Sequence, residues 1–281
     1  GGYVNDWTTK EFSEYVKTWS KYIAIQRDHA GPNQGSIEDN GYKSLEEDCR
    51  YFDSIHLDPW KKYQNYEDGL TWTLNMIKFC YKKNNNLYFE VGTEEAIRKF
   101  NIEEIEEFLS DLNKKLDFKI FNRIIFCVIQ SGTLLKDGIN TGKYNSEEMI
   151  KMDRLVKKFN LKSKEHNGDF MNSEDMKSRY QNGLDSINIA PEIGIAETKI
   201  IMSYLNQKQL NIFYEICFNS KKWVKWISND FKVEENKNKI IELTGHYVFS
   251  DNKFKNIKYS INNIDNILIE KLKEFLIQFI Y

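Results

Sequence analysis

The chain of 281 residues carries 40 Lys and Arg against 42 Asp and Glu, a formal charge of -2, so no bulk electrostatic argument favours a nucleic acid or another polyanion as partner. Apolar residues at 41%, aromatics at 14% and charged residues at 29% supply a sizeable core under a polar surface and exclude intrinsic disorder as the main state. The length suits one large domain, and apolar stretches such as 120–129, broken by Asn122 and Arg123, fall short of the ~20 residues that cross a bilayer.

In chain order, Thr8 with Glu11 reads as a capping box that opens a helix with Phe12, Tyr15, Val16 and Trp19 on one face. A strand is predicted over 22–26, a helix from Ser44 to Phe52, and a strand over 54–58. The pattern continues with helix 67–82 and strand 87–91, helix 102–116 and strand 124–130, helix 146–159 and strand 161–166, and helix 173–182 and strand 185–189. Regular alternation of this kind predicts a parallel sheet with right-handed crossovers. Polar residues recur at the strand ends, at His29, His56, Glu90, Gln130, His166 and Asn188. That placement favours a TIM-type (β/α)8 barrel over an open doubly wound sheet, which would show a Gly-rich phosphate turn after its first strand. Residues 1–195 supply the barrel units. Residues 196–281 supply the last barrel elements and a helical elaboration of the same domain, with a long helix at 196–218, Trp223 and Trp226, the segment Gly245-His246-Tyr247-Val248-Phe249-Ser250, and a final helix at 264–280.

No basic region followed by an apolar one is visible at the start, so a cytoplasmic location is expected. Cys49, Cys80, Cys127 and Cys217 lie far apart and read as buried reduced thiols. Asn and Lys runs such as Asn84-Asn85-Asn86 read as solvated turns without chemistry.

Four segments carry the candidate chemistry. Gln26-Arg27-Asp28-His29-Ala30-Gly31-Pro32-Asn33-Gln34-Gly35 runs a strand into an Asp-His pair and a loop able to approach a ligand. In Ile55-His56-Leu57-Asp58 the alternation puts His56 and Asp58 on one face; alone, the pair is as readily a core histidine with a capping Asp. Glu90 and Glu94 share parity across Gly92, and two carboxylates aimed into a barrel mouth need a cation or proton between them, although Glu94 could equally start the next helix. Lys162, Lys164 and His166 share a face, so either they point inward or Glu165 does. Lys164 could serve as an acid or base or as a Schiff-base amine, or be merely solvated. Together His29, Asp58, Glu90 or Glu94, and His166 are suitable ligands for a divalent metal with open positions for substrate oxygens.

Gly1-Gly2-Tyr3 with Trp7-Thr8, Asp28-His29-Ala30-Gly31-Pro32-Asn33, Ile55-His56-Leu57-Asp58, Val91-Gly92-Thr93-Glu94, Ile129-Gln130-Ser131-Gly132, His166-Asn167-Gly168-Asp169, Ile189-Ala190-Pro191 and Gly245-His246-Tyr247 with Phe249-Ser250-Asp251 resemble, in this order, the accessory-subunit family of class II D-tagatose-1,6-bisphosphate aldolase, as a distant branch. The resemblance covers nearly the whole chain. It implies a TIM barrel related to class II aldolases, in a family that includes a non-catalytic subunit supporting a partner aldolase and metal-dependent enzymes that epimerise C4 of ketoses. It also implies that Asp28 is a catalytic acid and that His29 and His166 bind the metal. Two departures point to a changed substrate: Lys164 stands where the family has a Glu, and Asn188 where it has a Lys. Ala190-Pro191-Glu192-Ile193-Gly194 replaces a Gly-Gly-Ser type phosphate loop with a negatively charged one, which disfavours a bisphosphate. The family's first barrel strand precedes the Gly-Gly-Tyr segment, so a barrel without its first strand is expected here.

The leading expectation is therefore a divalent-metal-dependent aldolase or ketose C4-epimerase acting on a sugar or sugar phosphate, with zinc the first choice of ion and manganese or nickel as alternatives. His29, Asp58, Glu94 and His166 would hold the ion, Asp28, Lys164 and Glu90 would move protons, and Arg27, Lys61, Gln130 and Asn188 would bind substrate. The competing expectations are a non-catalytic subunit that stabilises a class II aldolase partner or self-associates, and a glycoside hydrolase using Glu90 and Glu94 as its carboxylate pair. Neither a nucleic acid nor a membrane is expected as partner.

Overall fold

The computed structural model describes residues 7–34, 40–136, 138–228 and 230–279. The Gly1-Gly2-Tyr3 segment and Gly35 lie outside the described residues. The capping box of Thr8 and Glu11 starts α1 (Thr9–Trp19). Then follow β1 (Gln26–Ala30), α2 (Tyr42–Tyr51), β2 (Ser54–Leu57), α3 (Tyr66–Lys83), β3 (Tyr88–Val91), α4 (Ile102–Lys115), the short α5 (Phe118–Phe121) and β4 (Ile124–Ile129). A small antiparallel hairpin, β5 (Leu135–Lys136) and β6 (Ile139–Asn140), precedes α6 (Ser146–Lys158), β7 (Lys162–Glu165), α7 (Ser173–Gln181) and β8 (Ser186–Ile187). The rest is helical: α8 (Pro191–Ser203), α9 (Gln207–Asn219), α10 (Lys237–Thr244), α11 (Asn252–Lys258) and α12 (Ile264–Leu276).

Six of the strands form one parallel sheet in the order β1-β2-β3-β4-β7-β8. In a flat sheet β1 and β7, four steps of about 4.8 Å apart, would be separated by roughly 19 Å. Yet Lys164 Nζ of β7 donates to Gln26 Oε1 of β1 at 3.3 Å. The sheet is therefore strongly curled, and its concave face is the interior of a partial barrel. Of the (β/α)8 barrel expected without its first strand, the described residues form this six-stranded curl, in which β8 is only two residues long.

Alternation sorts the strand residues. Ile55, Leu57, Phe89 and Val91 are buried under the surrounding helices, whereas His56 and Glu90 belong to the concave side. Helix starts are fixed by asparagine: Asn65, Asn101, Asn145, Asn172 and Asn206 each accept a hydrogen bond from a backbone amide at the start of α3, α4, α6, α7 and α9.

Two boundaries differ from expectation. The strand placed at 22–26 begins only at Gln26, and Tyr22 and Ile23 are exposed. The single helix expected over 196–218 is two, because Asn206 and Gln209 build a capping box that starts α9 afresh. The C-terminal helices enclose their own apolar cluster around Phe213, Ile240, Ile241 and Phe254, separate from the one under the sheet. All four cysteines are buried and unpaired. Among the described residues no helix is long and apolar enough to cross a membrane.

Candidate metal centre

A defect in β1 brings consecutive side chains to one place. In an ideal strand Asp28 and His29 would face opposite sides. Here Arg27 pairs with Ile55 and Ala30 with Leu57, so β1 spends one residue more than β2. His29 absorbs it in the left-handed region at φ 44°. Asp28 Oδ2 and His29 Nε2 then lie 3.8 Å apart.

Three imidazoles from three strands meet at this point. The ring centroids of His29, His56 and His166 form a triangle with sides of 4.9, 5.0 and 4.9 Å. His29 Nδ1 contacts Asp58 Oδ2 at 2.7 Å and His166 Nε2 contacts Glu90 Oε1 at 2.6 Å. An ionised carboxylate can only accept, so each imidazole donates from that nitrogen. The lone pairs of His29 Nε2 and His166 Nδ1 therefore face each other, 3.3 Å apart. Two acceptors have nothing to share at that distance except a proton or a cation. Glu94 Oε2 stands 3.7 Å from the first and 4.0 Å from the second. Donors around a four-coordinate zinc at about 2.0–2.1 Å are separated by about 3.4 Å, so the three atoms fit a divalent ion with little movement. A carboxylate behind each ligating imidazole is the arrangement that fixes tautomer and aim in histidine metal sites.

His56 belongs to the same cluster of possible donors as Asp28, His29 and His166, but its ring is otherwise engaged. Nε2 donates to the Gly92 carbonyl at 3.0 Å, and Nδ1 meets Asp28 Oδ1 at 3.1 Å and the His29 amide at 3.3 Å. Burial works against a charge there, but the Glu90 carboxylate and the Asp28 hydrogen bond prevail and push its pKa up to about 9. Its Nδ1 side holds Asp28 in place. Burial pushes Asp28 up, yet the His56 hydrogen bond and the neighbouring imidazoles hold it well below the usual carboxylate range. His29 is raised: burial lowers it, and the hydrogen bond to Asp58 overcomes that. His166 is lowered, chiefly by burial.

Below the histidines lies a buried polar layer. Glu90 Oε2 accepts from Lys164 Nζ and from Gln26 Nε2, both at 2.6 Å. Burial opposes its charge, but His56, His166 and Lys164 hold its pKa far down. Lys164 and His166 point inward as one of the two sequence alternatives required, while Glu165 faces the helices and is held by Arg179 at 2.7 Å.

The structure thus brings together Asp28, His29, Glu90, Glu94, Lys164 and His166, and Asn188 lies against His166 with its amide nitrogen 3.2 Å from Nε2. Three expected site residues have other partners in the structure. Asp58, expected as a ligand, stands behind His29, its oxygens taken by His29, by the Thr93 hydroxyl at 3.0 Å and by the Trp60 amide at 3.2 Å. Gln130, expected on the substrate, latches the loop after β3 by accepting from the Phe100 amide and donating to the Thr93 and Arg98 carbonyls. Arg27, also expected on the substrate, sits 3.8 Å from Asp48 of α2. Lys61 lies exposed in the turn after β2. The roles of His56, Thr93, Gln26 and Asn167, which donates to Glu94 at 2.8 Å, were not assigned from sequence; the shared parity of His56 and Asp58 was the one available signal.

Comparison with known proteins finds the fold among solved structures. A probable tagatose 6-phosphate kinase from Sinorhizobium meliloti 1021 superposes with a TM-score of 0.73 at 11% identity, covering 97% of this chain and 87% of that one. The fructuronate-tagaturonate epimerase UxaE from Cohnella laeviribosi matches with 0.67 at 10% identity, over 95% of this chain and 70% of its own. The YdjI aldolase from Escherichia coli K12 matches with 0.54 at 13% identity, over 92% and 78%. The fold is TIM-like. No family model matches the sequence, and no curated protein matches it.

Proposed function

We propose that the chain is a divalent-metal-dependent carbohydrate enzyme, an aldolase or a ketose C4-epimerase. The observation that carries this reading is the pair of imidazole lone pairs, His29 Nε2 and His166 Nδ1, aimed at one point 3.3 Å apart by carboxylates behind them. His29, His166 and Glu94 would hold the ion, with Asp28 beside them, and two imidazoles with carboxylate oxygens suit zinc, with manganese or nickel as alternatives. A bound divalent ion supplies Lewis-acid polarisation of a ketose carbonyl. The fold shared with an aldolase and a ketose epimerase agrees with that chemistry.

The protein's own groups account for the proton traffic. Asp28 keeps half of its side chain exposed while the neighbouring acids Asp58 and Glu90 are buried, so it is the carboxylate a substrate hydroxyl can reach. It takes the proton of the C4 hydroxyl as the C3–C4 bond breaks, C4 becomes a carbonyl and the bond pair passes toward the C2 carbonyl. His56 balances the charge of Asp28 before that transfer. Return of that proton to C3 of the enolate, followed by release of the two fragments, is aldol cleavage; re-addition to the other face of the aldehyde, with the proton given back to the C4 oxygen, is C4 epimerisation. Lys164 and Glu90 hold His166 in its tautomer from below.

Turnover of ketoses followed by NMR, with and without a chelator, tests the reading. We expect activity to vanish in chelator and to return with zinc or manganese. Asp28→Asn should lower kcat by about 10²-fold or more at unchanged metal content, whereas full activity in chelator would contradict the proposal. A second reading, a subunit that stabilises a partner, is favoured by the exposed aromatics Trp19 and Tyr22 beside edge strand β1. Turnover by the isolated chain decides against it.

A further inference from the structure

Helices that follow the sheet strands direct their N-termini toward the face carrying the histidines, and a helix N-terminus with unpartnered amides is where a phosphate or carboxylate is ordinarily held. In α3, α4, α6 and α7 asparagine side chains already accept there. At α8, which begins just after Asn188, the anion's place is filled by the protein itself. The Asp169 carboxylate, 2% exposed, accepts from the Ala190 and Glu192 amides at 2.9 and 2.8 Å. The Glu192 carboxylate accepts from the Phe170 amide at 2.6 Å. A phosphate at this end would have to displace one buried carboxylate and stand beside another.

The neighbouring open space has no anion preference either. A cavity of about 570 Å³ behind the loop that bears Glu94 is lined by Ser131 and Thr133, and its lysines, Lys99 and Lys143, are matched by Glu95 and Glu148. Thr133 ties this wall to the centre by donating to the His166 carbonyl at 2.8 Å. The Ser131 and Thr133 hydroxyls give their protons to Glu165 and to the His166 carbonyl, so with balanced charge around them their oxygens remain to accept from the hydroxyl groups of a polyol chain.

We infer that the substrate is an unphosphorylated ketose, uncharged at the end that lies over α8, with its hydroxyl-bearing chain directed to the cavity. This rests on the reading of the site as a metal-dependent carbohydrate centre. Isothermal titration of the full chain with zinc supplied, using D-tagatose and D-tagatose 6-phosphate as probes, tests it. D-tagatose should bind at least roughly tenfold more tightly than the phosphate ester, because like charges set side by side oppose binding. Asp169→Asn with Glu192→Gln, which keeps an acceptor oxygen at each position and removes the charge, should narrow that ratio. If the double variant does not fold, Glu192→Gln alone makes the same comparison. Equal or tighter binding of the phosphate ester by the wild type, or binding of neither sugar, overturns the inference. Zinc content of the same samples separates the two claims: zinc bound with the ester preferred contradicts the substrate class alone, and no zinc bound contradicts the centre itself.

Discussion

Asp58 separates what residue type reveals from what geometry reveals. As an acid at a strand end it reads as a ligand, and the structure places it behind His29, where a 2.7 Å hydrogen bond sets the tautomer of that imidazole. Asp58→Asn should therefore lower affinity for zinc by about 10- to 100-fold while leaving the fold intact. Competition with a chelating dye measures this, and an unchanged affinity would show that His29 is aimed by something else. Asp28, His29 and His166 stood out in the sequence because Asp and His gathered at strand ends have few other uses, and the structure brings the three together. His56 was not, since its place between Asp28 and the Gly92 carbonyl depends on the bulge of β1, which no residue type announces. Gln130 misled for the converse reason, because an amide at a strand end serves backbone groups as well as it serves a substrate.

Elements were read correctly where periodicity is strong, as in α3, α4 and α6, and misplaced where a local device overrides it. The Asn206 capping box divides what hydropathy alone joins into one helix. Asparagine, which in sequence marked only solvated turns, proves to be the usual helix starter of this chain. The joint of α1, α2 and β1 carries a pH dependence away from the histidine cluster. Asp48 is buried, accepts from the Thr9 hydroxyl and lies near Arg27; burial dominates and pushes its pKa up to about 6. A carboxyl that holds its proton more tightly folded than unfolded favours the folded state below the unfolded pKa near 4, and that advantage is lost as pH rises through about 6. Asp48→Asn should remove this loss, so its stability relative to the wild type should improve between pH 4 and pH 6.5 by an amount on the order of 1–3 kcal/mol. Urea unfolding at the two pH values checks this, and parallel profiles would contradict it. The β1–β2 junction is also tight: a Cβ on Gly31 would lie 2.0 Å from the Asp58 carbonyl oxygen. Gly31→Ala should shift that loop and cost roughly 1–3 kcal/mol in thermal unfolding, with metal affinity falling as well.

At the scale of the whole molecule, the succession of strand and helix was enough to foresee a parallel sheet with a polar concave face. Its degree of closure was not, because curl follows from twist and from side chains meeting across the interior, such as Lys164 with Gln26 and Glu90, rather than from the order of elements. The curl is also what makes the site, since His29 and His166 come from strands separated by three others in the sheet. The most direct measurement is therefore elemental analysis of the purified chain equilibrated with zinc, beside His29→Ala and His166→Ala variants whose circular dichroism matches the wild type. We expect about one ion per wild-type chain and less than about a tenth of that in either variant, as removal of one of three protein ligands implies. A wild type that retains no ion, or variants that retain it equally, would contradict a centre built on these two imidazoles.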